Sequence, residues 1–243
     1  MKKVFIVSIL LVAMLFSGIA LVQAKSEQQN PASDIERGVF VHYPHAQGQA
    51  KGAATGDRVN DFKYSGIHWT GIRPSVPYSV NWSNKNGLSQ KDVLSAVQSA
   101  FIEWESHNPA DSNYIRFDYR ELTNLETSAN PSRDYTNTVS FEPLNSAYPN
   151  AIAVTFYWYS RGTKALLETD TVFNSDLAWA VNNDPNSYDL QNIATHEFGH
   201  WLLLGDLYSL RDRALTMFGY GGLGETDKST LGRGDITGIN RIY

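Results

Sequence analysis

A chain of 243 residues, 42% apolar and 12% aromatic, can fill the core of one catalytic-sized domain, and nothing in its composition suggests disorder. Its formal charge of −5 becomes −7 once Lys2 and Lys3 are removed with the leader described below, and it has no basic tract, which argues against nucleic acid as a partner. The absence of cysteine excludes disulfides and thiol redox chemistry, so an exported form must draw its stability from core packing and bound metal.

Lys2 and Lys3 open the chain, an apolar run follows from Val4 to Val22, and Val22-Gln-Ala24 has the small-residue spacing of a cleavage site. Residues 1–24 therefore read as a signal peptide and the protein as secreted, with membrane association expected only if that segment stays uncleaved. Residues 25–60 read as an N-terminal segment or linker: Lys25 to Ile35 is polar, Val39 to Tyr43 is strand-like, and Gln47 to Asp57 is rich in Gly, Ala and Gln. His42 and His45 in this segment read as surface residues. In a second reading the segment is a pro-segment and one of them covers the metal until it is removed.

The catalytic-sized domain is placed at 61–243. Tyr78, Val80 and Trp82 alternate with polar residues as a half-buried strand requires. Ser89, with Asp92 three residues on, caps a helix whose Val93, Leu94, Val97, Phe101 and Trp104 form one stripe and whose end is expected at Asn108-Pro109. Ile115-Phe117-Tyr119, Val139-Phe141, Ile152 to Trp158 and the shorter Thr169 to Asn174 read as strands of one mixed sheet. A second helix is expected after Asp189, through Leu190, Ile193, Ala194 and Phe198, and a third from Asp235, with Ile236, Ile239 and Ile242 on one side. No internal repeat is visible.

The chemistry concentrates in His196-Glu-Phe-Gly-His-Trp-Leu-Leu-Leu-Gly-Asp206. Residues four apart on a helix share a face, so the imidazoles of His196 and His200 can reach one zinc ion at about 2.0–2.1 Å. Glu197 points away from that face and suits the general base that takes a proton from a metal-activated water. A catalytic zinc usually has three protein ligands. Asp206 is the first candidate for the third, provided the chain leaves the helix at Gly205, which tolerates a left-handed turn. Glu225, supplied from a later segment as in proteases of the thermolysin kind, is the second.

This segment resembles the metzincin pattern, in which the third ligand follows the second histidine by six positions. Aspartate replaces the commoner histidine there, as in the snapalysin type and some prokaryotic matrixin-like proteins. The family's glycine three after the second histidine is Leu203 here. Ala214 to Tyr220 resembles the methionine turn, which would put Met217 beneath the metal and offer Tyr220 as a transition-state donor. Ser99 to Trp104 and Gly234 to Tyr243 are similar to the first and closing helices of matrixin domains. The resemblance implies an α+β fold, a twisted mixed five-stranded sheet with three helices and an active-site cleft, and a protein or peptide substrate laid along an edge strand. It also suggests calcium near Glu168, Asp170 and Asp176. The expected protein is a monomeric, secreted zinc metalloendopeptidase. The competing readings are the Glu225-liganded peptidase and a non-catalytic zinc-binding module of the same shape.

Overall fold

The computed structural model describes residues 34–45, 59–71, 73–107, 114–124 and 128–243. The leader, the Gln47–Asp57 linker and the expected helix end at Asn108-Pro109 lie outside the described residues. In chain order the strands are β1 (Ile35–Pro44), β2 (Lys63–Tyr64), β3 (Ser75–Val80), β4 (Arg116–Leu122), β5 (Thr138–Glu142) and β6 (Ala153–Ser160). They continue with β7 (Leu166–Asn174), β8 (Trp179–Ala180), β9 (Tyr188–Asp189), β10 (Leu204–Gly205) and β11 (Tyr220–Gly221). The helices are α1 (Gln90–Ser106), α2 (Leu190–Trp201) and α3 (Arg233–Ile242).

The main sheet runs β11-β1-β6-β7-β5-β3-β4. Its last five strands are the mixed five-stranded sheet expected: β7, β5, β3 and β4 are parallel and β6 is antiparallel. The α+β, metzincin-like architecture is thus present, with three helices. The additions are β11 and β1, the latter only hinted at by the strand-like Val39–Tyr43. Strand β1 lies antiparallel to β6 over eight register pairs, from Ile35↔Ser160 to His42↔Ala153, and parallel to β11. Residues 35–44 therefore belong to the sheet of the same folded unit as residues 61–243.

The capping box of α1 is realised: the Ser89 hydroxyl accepts from Asp92 N at 3.2 Å, and the Asp92 carboxylate accepts from Ser89 N. The predicted stripe faces α2, where Phe101 stacks on Phe198 with ring centroids 3.7 Å apart and Trp104 Nε1 donates to the Thr195 carbonyl at 2.8 Å. On its other side α2 meets the sheet, with Trp201 Nε1 donating to Thr171 Oγ1 on β7. Every residue of α2 except Gln191 is buried, so its polar side chains need partners or a function. Helix α3 begins two residues before the expected position because Asp235 acts at the third helical position, accepting from the cap residue Gly232 N.

The turn after α2 departs from expectation. Leu203, at φ 57°, takes the left-handed conformation, whereas Gly205 is paired in strand β10 with Lys63 of β2. The left-handed backbone costs a non-glycine residue about 1–2 kcal/mol. Leu203 is 1% exposed and packs with Ile67 and Leu166, a burial that outweighs this cost. Leu203→Gly, which relieves the strain but removes a packed side chain, is accordingly expected to lower unfolding stability by about 1–3 kcal/mol in urea titration. A more stable variant would mean that strain dominates.

Candidate active site

Helix α2 presents His196 and His200 on one face, and the turn through Leu203 returns the chain so that Asp206 meets them. Asp206 Oδ1 lies 3.1 Å from His196 Nε2 and 3.5 Å from His200 Nε2, all three residues being buried. The return is clamped by β2–β10 pairing and by Lys63 Nζ, which donates to the Asp206 carbonyl at 2.7 Å.

The other ring nitrogens are fixed. His196 Nδ1 donates to the Thr216 carbonyl at 2.7 Å and His200 Nδ1 to the Leu204 carbonyl at 2.8 Å. A carbonyl only accepts, so each Nδ1 carries the proton and each Nε2 keeps a free lone pair. Both Nε2 atoms and Asp206 Oδ1 are buried and make no hydrogen bond. Ligands at 2.0–2.1 Å around a tetrahedral ion lie about 3.3 Å from one another, which the two observed separations bracket. The residues fit zinc. Burial alone would raise the Asp206 carboxyl, but His200 and His196 beside it overcome that effect and hold it well below the ordinary range. A carboxylate is the form in which an aspartate binds a metal.

Glu197, on the neighbouring face of α2, is fully buried. Its Oε2 accepts from Thr155 Oγ1 of β6 at 2.6 Å, and Thr155 Oγ1 in turn lies 2.8 Å from Thr171 Oγ1 of β7. Burial pushes Glu197 up to about 7, opposed by His200 and the Thr155 hydroxyl. That is a value from which a carboxyl can both take and return a proton near neutral pH.

Met217 is 1% exposed and lies against the helix: a Cβ built on Gly199 would meet its Sδ at 2.2 Å. Asp235 of α3 holds this turn by accepting from Thr216 N at 2.7 Å and Met217 N at 3.1 Å. Tyr220 is on β11, with its ring packed against Tyr208 and Phe218. Glu225 is not gathered with the two histidines. It accepts from Gly222 N at 2.8 Å and pairs with the buried Lys228 at 3.7 Å. Nor are the suggested calcium residues brought together. The Glu168 carboxylate accepts from Asp134 N and Tyr135 N, Asp170 from Thr138 N, and Asp176 pairs with Lys85. Among the described residues, the His and carboxylate groups close enough to share an ion are His196-His200-Asp206 and His42-His196-Glu197.

His42 corrects the surface reading given to it from sequence: it is 0% exposed. Its ring lies 3.9 Å from that of His196, and its Nδ1 is 3.2 Å from Glu197 Oε1. His45 remains partly exposed, with Nε2 3.7 Å from Glu225. Sequence reasoning also missed Thr155. The alternation of Ile152 to Trp158 marked it only as a position between the apolar ones, and its partner lies 42 residues away.

A twisted mixed sheet backed by three helices, with two histidines one helical turn apart and a carboxylate returning to them, defines a metzincin-like domain. The model of the matrixin family matches residues 68–243, and the chain belongs to that family of zinc-dependent peptidases. A curated relative, matrix metalloproteinase-18 of Xenopus laevis, is 27% identical over 190 residues, covering 73% of this chain. The match takes in 36% of that relative, so the chain corresponds to about a third of its length.

Proposed function

We propose that this protein is a secreted zinc-dependent endopeptidase with His196, His200 and Asp206 as metal ligands and Glu197 as general base. The observation that carries this reading is the convergence of three buried, unpartnered ligand atoms, each oriented by its own backbone or charge partner, beside a buried carboxyl. Zinc bound there would supply Lewis acidity, both for the scissile carbonyl and for the attacking water. Glu197, held at Oε2 by Thr155, takes the proton of that water at Oε1 and passes it to the leaving amine. An extended peptide substrate would be fixed by main-chain hydrogen bonds to a strand edge beside the site. Met217, anchored by Asp235, packs against α2 at Gly199, between the two histidines, and so supports the helix that carries them. Secretion follows from the leader read at residues 1–24. The intact base favours this reading over a non-catalytic module, because a purely structural site needs no base.

Metal analysis tests the ligand set. The purified chain is expected to hold one zinc per molecule, Asp206→Ala to lose it, with affinity down at least about 100-fold, and Glu225→Gln to keep it. Zinc that survives Asp206→Ala and leaves with Glu225→Gln would overturn the assignment.

A further inference from the structure

We infer that the buried pair Lys228–Glu225 is a positioning device: it holds the glycine-rich residues 219–224 against the candidate metal ligands and through them sets how tightly substrate binds. The inference rests on the peptidase reading of the site and adds two positioning residues to it.

The first ground is where this segment runs. It leaves the turn in which the Thr216 carbonyl accepts from His196 Nδ1, and it passes the third candidate ligand and then the ligand-bearing helix. A Cβ built on Gly219 would lie 3.0 Å from Asp206 Cβ, and one built on Gly221 would lie 3.1 Å from Ile193 Cδ1 of α2. Residues 219–221 are therefore a wall of the site, packed directly on the elements that carry His196 and Asp206. A displacement of this wall changes the room beside the metal ligands.

The second ground is what gives the wall its shape. Four of the six residues from 219 to 224 are glycine, the residue that loses most conformational freedom on ordering. The ends are tied through the main chain, Gly219 N to the Leu207 carbonyl at 2.9 Å and Gly224 N to the Ser187 carbonyl at 2.8 Å. Between them the outer side of β11 pairs with β1, and the inner ties come from the ion pair. Lys228 Nζ donates to the Tyr220 carbonyl, and Glu225 Oε2 accepts from Gly222 N at 2.8 Å. Ammonium and carboxylate lie 3.7 Å apart, with His45 Nε2 also 3.7 Å from Glu225.

The third ground is that the pair is referenced to the metal helix. Lys228 N donates to Asn192 Oδ1 at 2.7 Å, and Asn192 stands four residues before His196, on the same face of α2. The path from the ligand helix to the wall thus runs through Asn192, Lys228 and the Tyr220 carbonyl. Lys228 is 2% exposed and Glu225 7%. Replacing a buried ion pair by apolar side chains of similar volume is often neutral or stabilising, so stability alone does not call for this one. What apolar side chains cannot supply is direction: here an ammonium holds one chosen carbonyl and a carboxylate one chosen N–H.

The test compares the full, zinc-loaded chain with the double variant Lys228→Met/Glu225→Gln, which fills the same space, leaves no buried charge unpaired and keeps an acceptor for Gly222 N. Freeing the backbone of one residue is worth about tenfold in an equilibrium constant. Hydrogen exchange at the amides of residues 219–224 is accordingly expected to quicken at least about tenfold, while the urea midpoint and one zinc per chain are kept. KM for fluorescent casein should rise about tenfold with kcat within about threefold, the mark of lost binding rather than lost chemistry. Lys228→Arg, which keeps a donor for the Tyr220 carbonyl and a cation for Glu225, should hold KM within about threefold of the parent. A double variant with the parent's KM, whatever its exchange, overturns the positioning role and leaves the peptidase reading standing. A fall in the urea midpoint with exchange quickened throughout the chain makes the pair a stability element and overturns it as well. A zinc-loaded parent that cleaves nothing overturns the peptidase reading, and quickened exchange confined to residues 219–224 of the variant then still supports the pair as the support of the wall.

Discussion

Replacing Glu197 by Gln is expected to lower kcat/KM for casein about a thousandfold while zinc content stays at one per chain. General-base assistance is worth about 10²–10⁴ in rate, so a thousandfold loss corresponds to about 4 kcal/mol of transition-state stabilisation. The substitution preserves shape. The amide oxygen can still accept from the Thr155 hydroxyl, so the bridge from α2 to β6 and β7 survives. What is lost is the ability to take a proton, because an amide is not a base at neutral pH. The comparison is made between the full-length parent and variant, in both of which His42 faces the same oxygen. If the glutamine variant keeps a tenth or more of the parent's activity with zinc in place, Glu197 is not the base. If it loses zinc, the carboxylate has a second role in holding the ion.

The residues proposed to carry this chemistry could be nominated from sequence because their spacing is set by one local element. A helix of 3.6 residues per turn brings His196 and His200 together, and Asp189 and Ser89 announced their helices as caps do. Asp206 could be nominated as a third ligand, but the course of the turn could not. The preference for glycine at left-handed positions pointed to Gly205, whereas the side chain of Leu203 finds a buried place between Ile67 and Leu166 that only the folded chain creates. The five-stranded sheet followed from alternation. The seat of β1 did not, because alternation reports that a strand has a buried face and says nothing of its partner. Here the partner, β6, lies more than a hundred residues away. The same applies to His42, whose place beside His196 and Glu197 becomes readable only once β1 is in register with Ala153 to Ser160. Thr155 and the Asp235 anchor are likewise products of long-range packing, and no local spacing would have paired them with Glu197 and Met217.

Adding one methyl group at Gly199 is expected to damage both stability and the metal site. A Cβ there would lie 2.2 Å from Met217 Sδ, 2.7 Å from Trp104 Cζ2 and 3.1 Å from Met217 Cε, all well inside contact distance. Both neighbours are tightly packed. Met217 is 1% exposed and held through its backbone N by Asp235, and Trp104 is fully buried with its indole N–H bound to Thr195. With the Trp104 indole held by Thr195, part of the strain is expected to be taken up by a shift of α2 itself. Overpacking of this kind costs about 1–3 kcal/mol, and for a domain of this size Gly199→Ala should lower Tm by roughly 2–12 °C. Because Gly199 lies between the two histidines, the shift displaces His196 and His200 against the fixed Asp206, and zinc affinity should fall about 10–100-fold, the range seen when the supports of ligands are disturbed. A double-mutant cycle separates this packing account from a loss of backbone freedom, which helical Gly199 does not need. Met217→Ala vacates the space that the new methyl requires, so the pair Gly199→Ala/Met217→Ala should be more stable than the sum of the single losses, by at least about 1 kcal/mol in urea titration. Strict additivity would show that the methionine does not bear on the metal helix at this point.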